Sequence, residues 1–121
     1  MAEIHCTTYA SPLGPLKLGV FDNKLCLCDW VHRKKRKAID LKICRILRAK
    51  MTKSTHPIHQ QAIQQLESYF AGNRSVFDLP LKMVGTPFQL LVWQALLNVP
   101  YGQTSSYSEL AKEVNTASAA R

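Results

Sequence analysis

The chain has 121 residues, 46% of them hydrophobic, which suffices for one ordinary domain or for a small domain plus part of another and argues against a disordered chain. Its apolar runs, such as Leu90 to Trp93, are far too short for a membrane span, and its N-terminus has no basic stretch leading into an apolar one, so a cytoplasmic chain is expected. The net charge of +8 is uneven: residues 33–53 hold ten Lys or Arg against the single acid Asp40, and the rest of the chain is close to neutral. That segment reads either as a polyanion-binding surface, nucleic acid first, or as a solvated loop that aids solubility.

In chain order, residues 3–10 mix β-branched and aromatic residues, and Ser11-Pro12-Leu13-Gly14 signals a turn. Residues 15–21 alternate, with Leu16, Leu18 and Val20 on one side. Asp22-Asn23 supplies a second turn, and residues 24–30 resume an extended run with Leu25 and Leu27 opposite Cys26 and Cys28. The prediction is a three-stranded antiparallel meander, which needs a helix on one face to be stable. An exposed connection is expected at residues 31–37, then an irregular or helical piece around 41–51, where propensity and periodicity disagree.

From Thr55 the signals sharpen. Thr55 or His56 can cap a helix, Pro57 fits its first turn, and Ile58, Ala62, Leu66, Tyr69 and Phe70 recur on one face until Gly72 or Asn73. This helix is expected to cover the sheet. Residues 77–81 read as a short strand or extended linker, with Pro80 marking an edge or crossing. A domain boundary is placed near residues 82–85, giving an N-terminal domain at 1–82 and an incomplete C-terminal domain at 83–121.

The four cysteines, Cys6, Cys26, Cys28 and Cys44, lack framework spacing. Cys26 and Cys28 on one strand face, with His5, Cys6 and His32, could hold a metal. The stronger reading is of small thiols packed in a core, because zinc sites usually carry paired Cys-x-x-Cys ligands, and no metal site is assigned.

The last third is more specific. Thr86 and Pro87 open a helix with Phe88, Leu91, Val92, Ala95, Leu96 and Val99 as its apolar stripe, and Pro100 and Gly102 stop it. Ser106 to Glu109 is an S-x-x-E capping box, followed by Tyr107, Leu110, Ala111 and Val114 on one face. Asn115-Thr116 then turns into the start of another helix ending at Arg121. Two short helices across a tight turn make a helix-turn-helix arrangement.

Gly85-Thr86-Pro87-Phe88-Gln89, Val92-Trp93, Leu96, Val99-Pro100-Tyr101-Gly102, Thr104, Ser106-Tyr107, Leu110-Ala111 and Ala119-Ala120-Arg121 together resemble one family. It is the O6-alkylguanine-DNA alkyltransferases, or methylated-DNA–protein-cysteine methyltransferases, and the upstream turn and helix resemble its N-terminal domain. The resemblance implies an α+β fold: an N-terminal sheet with a covering helix, then a helix-turn-helix, winged-helix-like domain. It implies transfer of an alkyl group from guanine O6 to a protein cysteine, with double-stranded DNA containing O6-alkylguanine as partner, no cofactor, no membrane, and a monomer. The chemistry needs a thiolate and a flipped-out base.

The DNA-binding residues implied are Tyr107, Arg121, Ser106 and Thr104: Tyr107 to crowd the phosphate and hydrogen-bond the flipped base, Arg121 to fill the vacated space. Tyr107 reads otherwise as an aromatic packing on Leu110 and Ala111, and Arg121 as a mobile terminal side chain. The family's nucleophile lies in a Pro-Cys-His-Arg motif downstream of that arginine, and these 121 residues contain none. No catalytic residue is therefore assigned, and the chain is expected to be part of an alkyltransferase, inactive alone. The alternatives are a non-enzymatic DNA-binding module and an interaction remnant of the family.

Overall fold

The computed structural model describes residues 2–12, 14–72, 77–82, 90 and 93. Strands β1 (Ala2–Ser11), β2 (Gly14–Phe21) and β3 (Lys24–Trp30) form the expected antiparallel meander. Its first connection closes where Ser11 pairs with Gly14, and the Ser11 hydroxyl donates to the Gly14 carbonyl at 2.6 Å. In the second, Asp22 and Asn23 both take left-handed backbone angles, φ 55° and 58°, between the paired Phe21 and Lys24. Two such residues match the strands' right-handed twist, and Asp and Asn tolerate that conformation.

The meander is extended by an element the sequence reading did not foresee. Strand β4 (Ala49–Lys53) runs parallel to β1, with Ile4 opposite Met51, so the sheet has four strands in the order β3-β2-β1-β4. Helix α1 (Arg36–Leu47) leads into β4; it takes the helical form of the piece expected around 41–51, starts earlier, inside the connection expected at 31–37, and gives way to β4 at the end. It buries Ile39 and Ile43, one turn apart, against Ile4, Cys6, Cys26, Leu27 and Ala49.

Helix α2 (Pro57–Phe70) covers the opposite face, as expected. Its N-cap is His56, whose Nδ1 accepts from the Ile58 amide at 3.0 Å, and Pro57 occupies the first turn. Ile58, Ala62, Leu66 and Tyr69 pack on Leu16, Leu18, Val20, Leu25, Cys28 and Trp30, with Phe70 only partly buried. The sheet is thus sandwiched between two helices, a layer more than the predicted single cover.

The alternation expected in β3 breaks at one residue. Gly19 pairs with Leu27 and Val20 with Leu25, so Cys26 is an extra residue in a bulge. Cys26 and Leu27 consequently both fall in the α1-side core, while Leu25 and Cys28 fall in the α2-side core. The predicted pairing of Leu25 with Leu27 on one face and Cys26 with Cys28 on the other is therefore corrected.

Residues 77–82 seal the β3 edge. The Leu25 amide donates to Pro80 O and the Lys82 amide to Leu25 O, each at 2.9 Å, around a parallel bridge from Leu25 to Leu81. Gln65 clamps this segment from α2, donating to Asp78 O and accepting from Asp78 N at 2.9 Å each.

Candidate nucleic-acid interface

The four residues assigned to DNA, Thr104, Ser106, Tyr107 and Arg121, lie outside the described residues. What is described is how the region before them is anchored. Leu90 and Trp93 are both 1% exposed and belong to the α2-side core. Phe77 bridges Trp93 to α2: its ring centroid lies 4.7 Å from that of Trp93 and 5.5 Å from that of Tyr69. Neither Leu90 nor Trp93 was in the predicted apolar stripe. At about 100° per residue the two fall on the other side of the predicted helix from Phe88, Val92 and Val99. Leu90 and Trp93, apolar and outside the predicted stripe, were the available signal that this side of the predicted helix meets the core.

The basic segment divides into two populations. Arg33 and Arg36 turn inward around Asp29, which is wholly buried. Arg33 grips both Asp29 oxygens, Nη2 donating to Oδ1 at 2.6 Å and Nε donating to Oδ2. Arg36 Nη1 donates to Asp29 Oδ2 at 2.9 Å and to Trp30 O at 3.2 Å, while its Nε donates to Asp40 Oδ1 at 2.9 Å. Lys17 from the sheet completes the chain of charges, 2.7 Å from Asp40 Oδ2. A bidentate guanidinium–carboxylate pair of this kind fixes geometry as well as charge. It ties the end of β3 to the start of α1 and buries Arg33, while His32, Lys34, Lys35 and Lys37 of the predicted connection stay exposed. The segment's remaining eight cations stay exposed, Lys34, Lys35, Lys37, Lys42, Arg45 and Arg48 on or beside α1 and Lys50 and Lys53 in β4.

Cys6, Cys26 and Cys28 are not poised as nucleophiles. Cys6, Cys26 and Cys28 are buried and Cys44 half-buried. Burial pushes the Cys6 thiol up to about 11, with Lys17 opposing weakly, and the Cys26 thiol up to about 12. Cys28 is pushed up further, by burial first and then by the Asp29 charge. A reactive cysteine needs the reverse environment, electropositive and partly open.

His5 and His56, part of or beside the residues considered for metal or capping, come together with His59 at the start of α2, ring centroids 5.4 Å and 6.3 Å apart. His56 Nε2 lies 3.2 Å from Asn23 Oδ1, His5 Nδ1 lies 2.7 Å from Ser54 Oγ, and His59 Nε2 donates to His5 O at 2.8 Å. Among the described residues no three His, Cys, Asp or Glu side chains are placed to hold a metal, and His32 is not brought to Cys26 or Cys28.

A four-stranded mixed sheet covered by a helix on each face is the class these features define. Residues 4–83 match the model of the 6-O-methylguanine DNA methyltransferase ribonuclease-like domain, and residues 87–121 match that of its DNA binding domain. The chain belongs to the 6-O-methylguanine DNA methyltransferase family. It is similar to the methylated-DNA–protein-cysteine methyltransferase of Mycobacterium leprae, 36% identical over 121 residues that cover 98% of this chain and 66% of the relative. The constitutive enzyme of that name from Bacillus subtilis is 38% identical over 120 residues, covering 95% and 66%. The chain thus spans about 66% of the length of these curated relatives. The crystal structure of Mycobacterium tuberculosis O6-methylguanine methyltransferase superposes with a TM-score of 0.53 at 28% identity, covering 94% of this chain and 68% of that one. The Mycobacterium tuberculosis OGT in complex with DNA gives 0.50 at 30% identity, covering 93% and 68%.

Proposed function

We propose that this chain is the sheet domain and the DNA-engaging part of a repair protein that moves alkyl groups from guanine O6 in double-stranded DNA to a protein cysteine. The observation that carries the reading is the match of residues 87–121 to the DNA binding domain, continuous with Leu90 and Trp93 locked into the core of the sheet domain. The solved DNA complex of a relative supports duplex DNA as the partner. In this reading the chain is cytoplasmic and monomeric, with one domain at 1–82 and the other beginning at 83. Tyr107 crowds the target phosphate and bonds the flipped base, Arg121 occupies the space it leaves, and Ser106 and Thr104 contact the backbone at the helix start.

The acceptor is none of Cys6, Cys26, Cys28 or Cys44. The burial and raised thiol pKa values of Cys6, Cys26 and Cys28 support the 121 residues acting in lesion binding and not in the transfer step. Fluorescence anisotropy with O6-methylguanine and undamaged duplexes tests this. Tyr107→Ala and Arg121→Ala should each weaken binding to the damaged duplex by roughly 5- to 100-fold and reduce the preference for it. Unchanged affinity and preference in both variants would contradict the assignment.

A further inference from the structure

We infer that the outward face of α1 is a second, sequence-independent binding surface for the phosphate backbone of duplex DNA, separate from the predicted helix-turn-helix. The six exposed cations Lys34, Lys35, Lys37, Lys42, Arg45 and Arg48 line it. Lys37, Lys42 and Arg45 lie on the helix itself, within about 140° of its circumference at 100° per residue and opposite Ile39 and Ile43, while Lys34 and Lys35 immediately precede it and Arg48 is its C-cap. From Lys37 to Arg48 the row runs about 16 Å, comparable to about five phosphate steps along one strand of a duplex.

Three observations set this face apart from an ordinary solvated one. First, the acids near it are already taken: Asp29 and Asp40 are engaged by Arg33, Arg36 and Lys17, and among the described residues none of the six makes an ion pair. A surface that serves solubility alone intersperses both signs. Second, the arrangement works against the N-terminal end of its own helix. The first turn of α1 holds no acid and carries Arg36 and Lys37, so positive charge sits at the positive end of the helix dipole, and Lys35 supplies no side-chain cap. Lys42 and Arg45, three apart, add like-charge repulsion. A bound polyanion relieves both costs. Third, α1 covers the face of the sheet opposite the core that holds Leu90 and Trp93, so its cations lie across the sheet from the anchor of the DNA-binding region.

Duplex DNA is favoured over an anionic membrane by the apolar residues on the same face. Leu41 and Ile46 are 57% and 48% exposed, but at 100° per residue they sit about 140° apart and form no continuous apolar stripe to insert.

The test is salt-dependent anisotropy of the 121-residue chain on an undamaged duplex, comparing it with Lys37→Gln/Lys42→Gln/Arg45→Gln. All three sites are exposed, and circular dichroism checks that the variant is folded. The expected result is weaker binding at low salt, equally on damaged and undamaged duplexes, with the slope of log K against log salt smaller by about 2 to 3. Loss of lesion preference through Tyr107 or Arg121 would be a separate outcome, since those substitutions leave this contribution in place. An unchanged slope and affinity, or binding to phosphatidylcholine–phosphatidylserine vesicles with none to duplex, would overturn the inference.

Discussion

Replacing Asp29 by alanine removes the carboxylate that two Arg33 nitrogens and one Arg36 nitrogen donate to. Arg36 is partly exposed and keeps Asp40 and the Trp30 carbonyl, so the damage concentrates on Arg33, whose side chain is 1% exposed. Breaking a buried ion pair by deleting one member costs about 3–5 kcal/mol, because the surviving charge stays desolvated. With a urea dependence of about 1.5 kcal/mol per molar, the unfolding midpoint should fall by about 2–3 M. The pair itself need not be worth that much, since an apolar pair of similar size often stabilises as well. Asp29→Leu/Arg33→Met should therefore recover more than half of the loss, and the two single substitutions should be strongly non-additive. Equilibrium urea unfolding followed by tryptophan fluorescence measures all four proteins. An Asp29→Ala loss below about 1 kcal/mol, or a double variant no better than the single, would refute the view that this buried network holds the turn between β3 and α1.

Other residues give shorter tests. At pH 8 iodoacetamide should modify half-buried Cys44 first, because pKa values of about 11 and 12 leave Cys6 and Cys26 only about one part in a thousand or less as thiolate. Mass spectrometry showing rapid native labelling of Cys6 or Cys26 would contradict their burial. Gly19→Ala would place a Cβ 3.0 Å from Leu27 Cβ and 3.4 Å from Ile4 Cγ2 at the bulge, so thermal unfolding should show a loss of about 1–3 kcal/mol. His59 is held below its ordinary value of 6.5 by burial, with the neighbouring His56 and His5 charges adding to it. Because its folded pKa is depressed, its contribution to stability is present above pH 6.5 and is lost as pH falls through the folded value. His59→Gln should flatten the fall in stability below pH 6.5, and an unchanged pH profile would exclude His59 as a source.

The meander and α2 were legible because their signals are local. Asp22-Asn23 demands a left-handed turn whatever surrounds it, and Pro57 with the Ile58, Ala62, Leu66, Tyr69 stripe marks a helix without reference to the sheet. Helix α1 was obscured by its own charge. Ile39, Ile43 and Leu47 are spaced at one turn, but the left-handed Lys35 gives no capping signature, and Lys37, Lys42 and Arg45 on the outer face are flanked by Lys34, Lys35 and Arg48 at its ends. Strand β4, Ala49–Lys53, has little β propensity and no hairpin turn, since it pairs in parallel with β1 more than 40 residues away. The bulge at Cys26 inverts the face of its neighbours and leaves no mark on composition. Arg33 reads as solvent-facing until the fold brings it over Asp29, and Gln65 reads as surface until residues 77–82 run past it. For the interface, the motif around Tyr107 and Arg121 was readable as a resemblance, whereas the split of the basic segment into buried and exposed cations needed the tertiary structure.

The most direct measurement incubates a duplex bearing radiolabelled O6-methylguanine with the 121-residue chain, alone and extended by a C-terminal segment of the family that carries Pro-Cys-His-Arg. The expected result is no label on the 121 residues alone, and on the extended chain a single methyl group per molecule, carried by the added cysteine. Label on Cys6, Cys26, Cys28 or Cys44, or an extended chain that binds the lesion and takes no label, would contradict the proposed division between a lesion-binding chain and an acceptor outside it.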